Sequence, residues 1–181
     1  MSSLTRRGAR ITGTSLLLVL ITSVAGLTVL KAGRTRPVPL GLSAASSQAL
    51  GEMVLAAVRA GDLATLDAMA LTEDEFRQYV WPDLPVSRPE ANFPFTFVWG
   101  RLHEQSDRYL RHTVAELAGH DVELIRVEFA GASTEYEGAR VHRDTVLIVR
   151  DATKTERPLR LFGSTFEQNG RYKVFSYVVG D

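Results

Sequence analysis

No cysteine occurs anywhere in the 181 residues. That excludes a disulfide scaffold, thiol catalysis, thiolate metal sites and an acylated lipoprotein cysteine. Acid is missing from the first 51 residues, which carry six bases: Arg6, Arg7, Arg10, Lys31, Arg34 and Arg36. From Glu52 onward 15 bases face 21 acids, so the zero net charge of the chain hides −6 on its folded part. A domain of that sign repels phosphate backbones, and no basic run reverses it, so no nucleic-acid partner is expected. Catalytic signatures are also missing. Gly163-Ser164 lacks the second glycine of a nucleophile elbow, and neither a phosphate loop nor a dinucleotide fingerprint occurs, so no cofactor is expected. What remains, 45% hydrophobic and 23% charged residues, is the composition of one globular domain plus a leader.

The leader is legible in the first thirty residues. Ile11 to Leu30 is uncharged, and Arg6, Arg7 and Arg10 precede it. One reading takes residues 11–22 as the apolar region of a signal peptide with a small-x-small cleavage site at Ser23-Val24-Ala25. The other takes the whole run as an uncleaved anchor. Twenty residues at about 1.5 Å each span a bilayer core, and Leu27 to Leu30 extend the run that far. Three bases lie on either side, so only the amino terminus tips orientation toward a domain on the outer side of the cytoplasmic membrane. The chain then divides into a signal-anchor or signal peptide over 1–33, a Pro/Ser-containing linker over 34–45 and a domain over 46–181.

Within the domain, helices come first. Ser46 or Ser47 can cap a helix to Ala60 with an apolar stripe of Leu50, Met53, Val54, Ala57 and Val58. Gly61 ends it and Asp62 caps a short helix, Leu63 to Met69. Thr72 and Glu75 form a capping box for a third, Glu73 to Val80. Pro82, Pro85 and Pro89 make 81–92 an irregular loop. The longest helix runs from about Pro94 to Leu117, with Phe95, Val98, Trp99, Leu102, Ser106, Tyr109, Leu110, Thr113 and Leu117 on its inner stripe and Gly119 as its stop. After Asp121 the pattern is that of strands: 122–130, 139–150, 157–166 and 171–179. A further short strand is expected around Tyr136. Asn169-Gly170 is the strongest hairpin signal. The expectation is an α+β domain, N-terminal helices followed by a curved antiparallel four-stranded sheet packed on the one long helix.

This order resembles the NTF2-like (SnoaL-like, cystatin-like cone) superfamily. The resemblance rests on Ala56-Ala57-Val58-Arg59-Ala60-Gly61-Asp62-Leu63-Ala64-Thr65-Leu66 and on the closing strand Tyr172 to Tyr177. It covers about residues 45–181 and implies a curled sheet around helices. The runs Trp81 to Pro85 and Asn92 to Gly100 are similar to uncharacterised bacterial envelope proteins of this kind. Strands that many relatives place before the long helix are absent from the proline-rich interval.

Candidate chemistry gathers on the long helix. Ser106 and Thr113 interrupt its apolar stripe, and a buried hydroxyl must find a partner. They either bond back to the helix carbonyl four residues earlier or floor a pocket lined by Trp99, Leu102, Tyr109 and Phe175 or Tyr177. Trp99, His103, Ser106, Tyr109 and Thr113 are therefore the candidate ligand-binding residues. His103 is the one candidate acid or base. With Asp107 one turn on, it has no third ligand, so no metal is expected. His112, His120 and His142 read as surface residues. The reading favours a binding module for a small amphipathic molecule or a partner protein, a homodimer included, over an enzyme. An acid–base enzyme of isomerase, dehydratase or hydrolase type, using His103, is the alternative.

Overall fold

In the computed structural model, residues 38–179 are described. The hydrophobic run 11–30 and the linker's first residues lie outside them. Among the described residues no helix is long and apolar enough to cross a membrane.

Four α-helices and two antiparallel sheets make an α+β fold among these residues. Helix α1 spans Ser47–Ala60; the Ser46 hydroxyl accepts the Ala49 N–H, and Gly61 closes the other end in the left-handed conformation. Helix α2 spans Leu63–Met69 on an Asp62 cap, and α3 spans Glu73–Tyr79 on the Thr72–Glu75 capping box. Each proline of the next interval opens or enters a single 3-10 turn, giving Trp81–Asp83, Pro85–Ser87 and Pro89–Ala91. That is the tolerated place for a residue without an N–H. Helix α4 spans Phe95–Leu117. Its C-terminus is tied back to α1, because the Gly119 N–H donates to the Arg59 carbonyl.

Among the described residues the strands number seven: the four expected runs, two of them divided, and the short strand at Tyr136. They are β1 (Glu123–Phe129), β2 (Thr134–Tyr136), β3 (Ala139–Arg143), β4 (Thr145–Arg150), β5 (Glu156–Leu159), β6 (Ser164–Gln168) and β7 (Arg171–Ser176). One sheet has the order β1-β4-β5, the other β2-β3-β6-β7. Two expected strands are each cut in two. Asp144, at φ 52°, separates β3 from β4, so one extended run serves both sheets. Gly163 ends the second interruption. Its N–H donates to Ser176 and its carbonyl accepts from Thr145, and the Val178 carbonyl passes within 1.9 Å of where a Cβ would stand. Only glycine admits that approach. Asn169 and Gly170, both at positive φ, turn the β6–β7 hairpin as their sequence requires.

The layering differs from the expectation as well. The helix enclosed by strands is α1, not α4. Leu50, Val54 and Val58 are buried with Leu66, Met69, Leu147, Val149, Val174 and Tyr177. Gly51 presses so close that a Cβ would lie 2.8 Å from Leu124 and 2.9 Å from Val127. A second cluster joins Phe76, Tyr79, Val141 and Phe166 with the half-buried Trp81, Phe95 and Trp99. Of the 23 residues of α4, only Leu110 and Val114 are buried. The segments before α1 and after α2 both pair with β7: Ala44 bridges Tyr172, and the Leu71 N–H donates to the Val174 carbonyl.

Candidate functional site

Three of the five candidate residues of α4 come together. Trp99, His103 and Ser106 line a cleft with Asp67 and Ala70 at the end of α2, with Phe175 of β7 and with Tyr177 just past it. Ser106 lines the cleft and also spends its oxygen on a backbone partner outside its own helix. Its Oγ accepts the Tyr177 N–H at 3.0 Å, which binds α4 to the chain just past β7. The Tyr177 hydroxyl in turn donates to the Leu66 carbonyl at 2.7 Å. Burial pushes that phenol up, so it stays a neutral donor at any ordinary pH. The enclosed space is about 20 Å³, room for a single water. His103 lies exposed at the rim, its ring stacked on Trp99 at 5.5 Å. Among the described residues it has no carboxylate partner; Asp107, one turn on, pairs with Arg111 at 2.9 Å instead. Tyr109 is 40% exposed and Thr113 half-buried, and neither lines the cleft. Among the described residues no three ligating side chains are gathered for a metal ion.

A second polar centre is sealed in the second core. The Lys173 ammonium meets both Glu75 oxygens, at 3.0 and 2.8 Å, and the two side chains are 0% and 1% exposed. The capping box explains why Glu75 is there: it accepts the Thr72 N–H at 2.7 Å. It also accepts the Gly41 N–H at 2.8 Å, so residues 38–44, part of the linker by sequence, are held to the domain. Val38 is fixed in the same way, by Gln78 and by the Tyr79 hydroxyl. Burial pushes the Glu75 carboxyl up, but Lys173 and the N–H groups of Thr72 and Gly41 outweigh it and hold the group below its ordinary value. Every lone pair the site exposes is used, which is what permits so deep an ion pair.

A third centre corrects the surface reading of His142. That residue is 8% exposed. Its ring stacks on Phe129 at 4.2 Å, Nε2 lies 2.7 Å from Glu167 Oε2, and Nδ1 lies 2.9 Å from Ser133 Oγ. Strand β3 supplies the histidine, β6 the carboxylate and the β1–β2 loop the serine. His142 stands opposite Thr165 and Glu167 opposite Arg140 in the β3–β6 register, so histidine and carboxylate are diagonal neighbours. A sequence read without register offers only one hint, a histidine alternating with Val141 inside a strand.

With these geometries in view, comparison with known proteins adds nothing: no family model, curated protein or solved structure matches the chain.

Proposed function

We propose that this chain is a membrane-tethered or exported NTF2-like module that works by binding a protein rather than by enclosing a small molecule at α4, and that its partner is a second copy of itself. Helices followed by a β-meander, a bent β3–β4 run shared by two sheets and an enclosed α1 support the NTF2-like reading. The observation that carries the binding mode is the contrast between a filled cleft and an open helix. A pocket for a drug-sized ligand needs roughly 300–1,000 Å³, whereas the cleft at Trp99 encloses about 20 Å³. The opposite side of α4 leaves Phe97 55% exposed, in ring contact with Phe93, itself 51% exposed.

That side is self-complementary in an antiparallel arrangement. Centred near Ser106, a two-fold pair of α4 helices sets Glu104 against Arg108 of the second copy, and the reverse. It sets Phe97 against the small, exposed Ala115. The Glu104–Arg108 pair within one chain is loose, at 3.7 Å, and is free to exchange. Contacts that repeat in this way are the signature of an isologous interface.

The missing cysteines supply the test. In the full chain in membranes, Gln105→Cys is expected to give a bismaleimide-linked dimer, and Thr153→Cys in the β4–β5 turn is not. Equal linking at both sites, or none at Gln105→Cys, sinks the self-association. A small amphipathic compound that raises the thermal midpoint by several degrees would instead restore the small-ligand reading.

A further inference from the structure

The Ser133–His142–Glu167 chain does not belong to the α4 face, and its chemistry is specific. A carboxylate only accepts, so Glu167 fixes the proton on His142 Nε2 and leaves the Nδ1 lone pair to accept the Ser133 hydroxyl. The tautomer is thus set by the two partners. The ring is also held in place: Phe129 stacks on one face at 4.2 Å. Tyr172 stands opposite Glu167 in the β6–β7 register. Burial pushes the Glu167 carboxyl up, but His142 and Tyr172 outweigh it and hold it ionised below its ordinary value. The serine itself is exposed. Nucleophile, base and orienting carboxylate are therefore in hydrogen-bond contact, with the outermost member open to solvent, the constellation that activates a serine.

We propose that Ser133 is an acyl-accepting nucleophile, with His142 as its general base and Glu167 as the positioning residue. The substrate class is a short-chain carboxylic ester of an acidic alcohol, with water as the second reactant. Ser133 Oγ forms a bond to the carbonyl carbon as its proton moves to His142 Nδ1. The bond to the leaving oxygen breaks, and that oxygen takes the proton from Nδ1. Water then attacks the acyl-serine, gives a proton to Nδ1 and releases the acid; Nδ1 returns the proton to Ser133. A short chain is specified because nothing encloses the exposed hydroxyl. The neighbouring groove of about 250 Å³ along Tyr136, Arg140 and Glu167 is open and polar.

A fluorophosphonate probe and p-nitrophenyl acetate, applied to the full chain in detergent, test this. The probe is expected to add its mass to the peptide that contains Ser133, and Ser133→Ala to abolish both labelling and ester hydrolysis. Because Ser133 is an exposed loop residue, that variant should melt at the wild-type temperature. His142→Gln should slow hydrolysis by roughly 100-fold or more, the range of a lost general base. Glu167→Gln should lower kcat by about tenfold at unchanged KM, with Glu167→Asp recovering part of it, as fits a group that acts through the histidine. A merely structural staple would shift the melting temperature and leave the serine unlabelled. No labelling of the wild type, labelling on another residue, or labelling that survives Ser133→Ala overturns the proposal. The α4 dimer can fail without touching it, because the two readings share no residue.

Discussion

Helices α1 and α4 are both amphipathic, yet they live in different solvents. The 14 residues of α1 bury six side chains or backbone positions, and Gly51 touches the strands directly. The 23 residues of α4 bury two. Charge shows the same contrast between enclosed and open surroundings. Where α3 meets β7, the Glu75–Lys173 pair is fully out of water. On α4, Glu104–Arg108, Asp107–Arg111 and His112–Glu116 are i,i+4 pairs in water. The lesson is that the same apolar spacing marks a helix that will be wrapped and one that will merely rest on its neighbours. Burial, not length, decides which helix carries the fold.

The largest expected effect tests the charge side of that contrast. Lys173→Met leaves Glu75 buried without its cation and should cost about 3–5 kcal/mol in chemical denaturation. The double variant Lys173→Met, Glu75→Leu should recover most of it, since an apolar pair of similar volume often replaces a buried ion pair at no loss. The sign with pH follows from the lowered Glu75 carboxyl. Its contribution is present above the unfolded-state value and is lost as pH falls through the lower native one. The wild type therefore loses stability in acid more steeply than the double variant. Parallel pH curves would mean the pair is not ionised in the native state. Arg111→Ala on α4 should produce no resolvable change.

Next comes the apolar side. Leu50→Ala in α1, at 0% exposure, should cost about 2–5 kcal/mol, from lost transfer energy and the cavity left among strand side chains. Gly51→Leu is the opposite insult. Its Cβ alone would stand 2.8 Å from Leu124 and 3.2 Å from Leu147, so the overpacked helix should lose about 1–3 kcal/mol despite the better helix propensity of leucine. A Gly51→Leu protein as stable as wild type would show that α1 is not clasped by β1 and β4.

Much of this was legible before any coordinates. Caps at Ser46, Asp62 and Thr72, the left-handed Gly61, the Asn169-Gly170 turn and the span of α4 all follow from local chemistry, which needs no knowledge of neighbours. What periodicity withheld is non-local. The breaks at Asp144 and Gly163 come from two sheets sharing one run and from Val178 crossing Gly163, events set by residues distant in sequence. The same holds for the candidate sites. Ser106 stood out as a polar residue in an apolar stripe, yet its partner, the Tyr177 N–H, lies 71 positions away. Lys173 is 98 positions from Glu75, and the capping box that marks Glu75 says nothing of it. His142 finds Glu167 only through the β3–β6 register, which no single strand encodes.

The smallest effect on stability carries the most about role. Phe97→Ser removes an aromatic ring that the fold leaves more than half in water, so the unfolding free energy should move by no more than about 0.5 kcal/mol. The same change should abolish the dimer linked through Gln105→Cys, because Phe97 is the apolar contact that the second copy covers. Charge reversal sharpens the point. Glu104→Arg alone sets like charges across the two-fold axis and should lose the linked dimer. Adding Arg108→Glu restores opposite signs at both ends of the exchange and should bring it back. If the single reversal links as well as wild type, the charges of α4 are only a solvated face. In that case the exposed Phe97 needs another explanation.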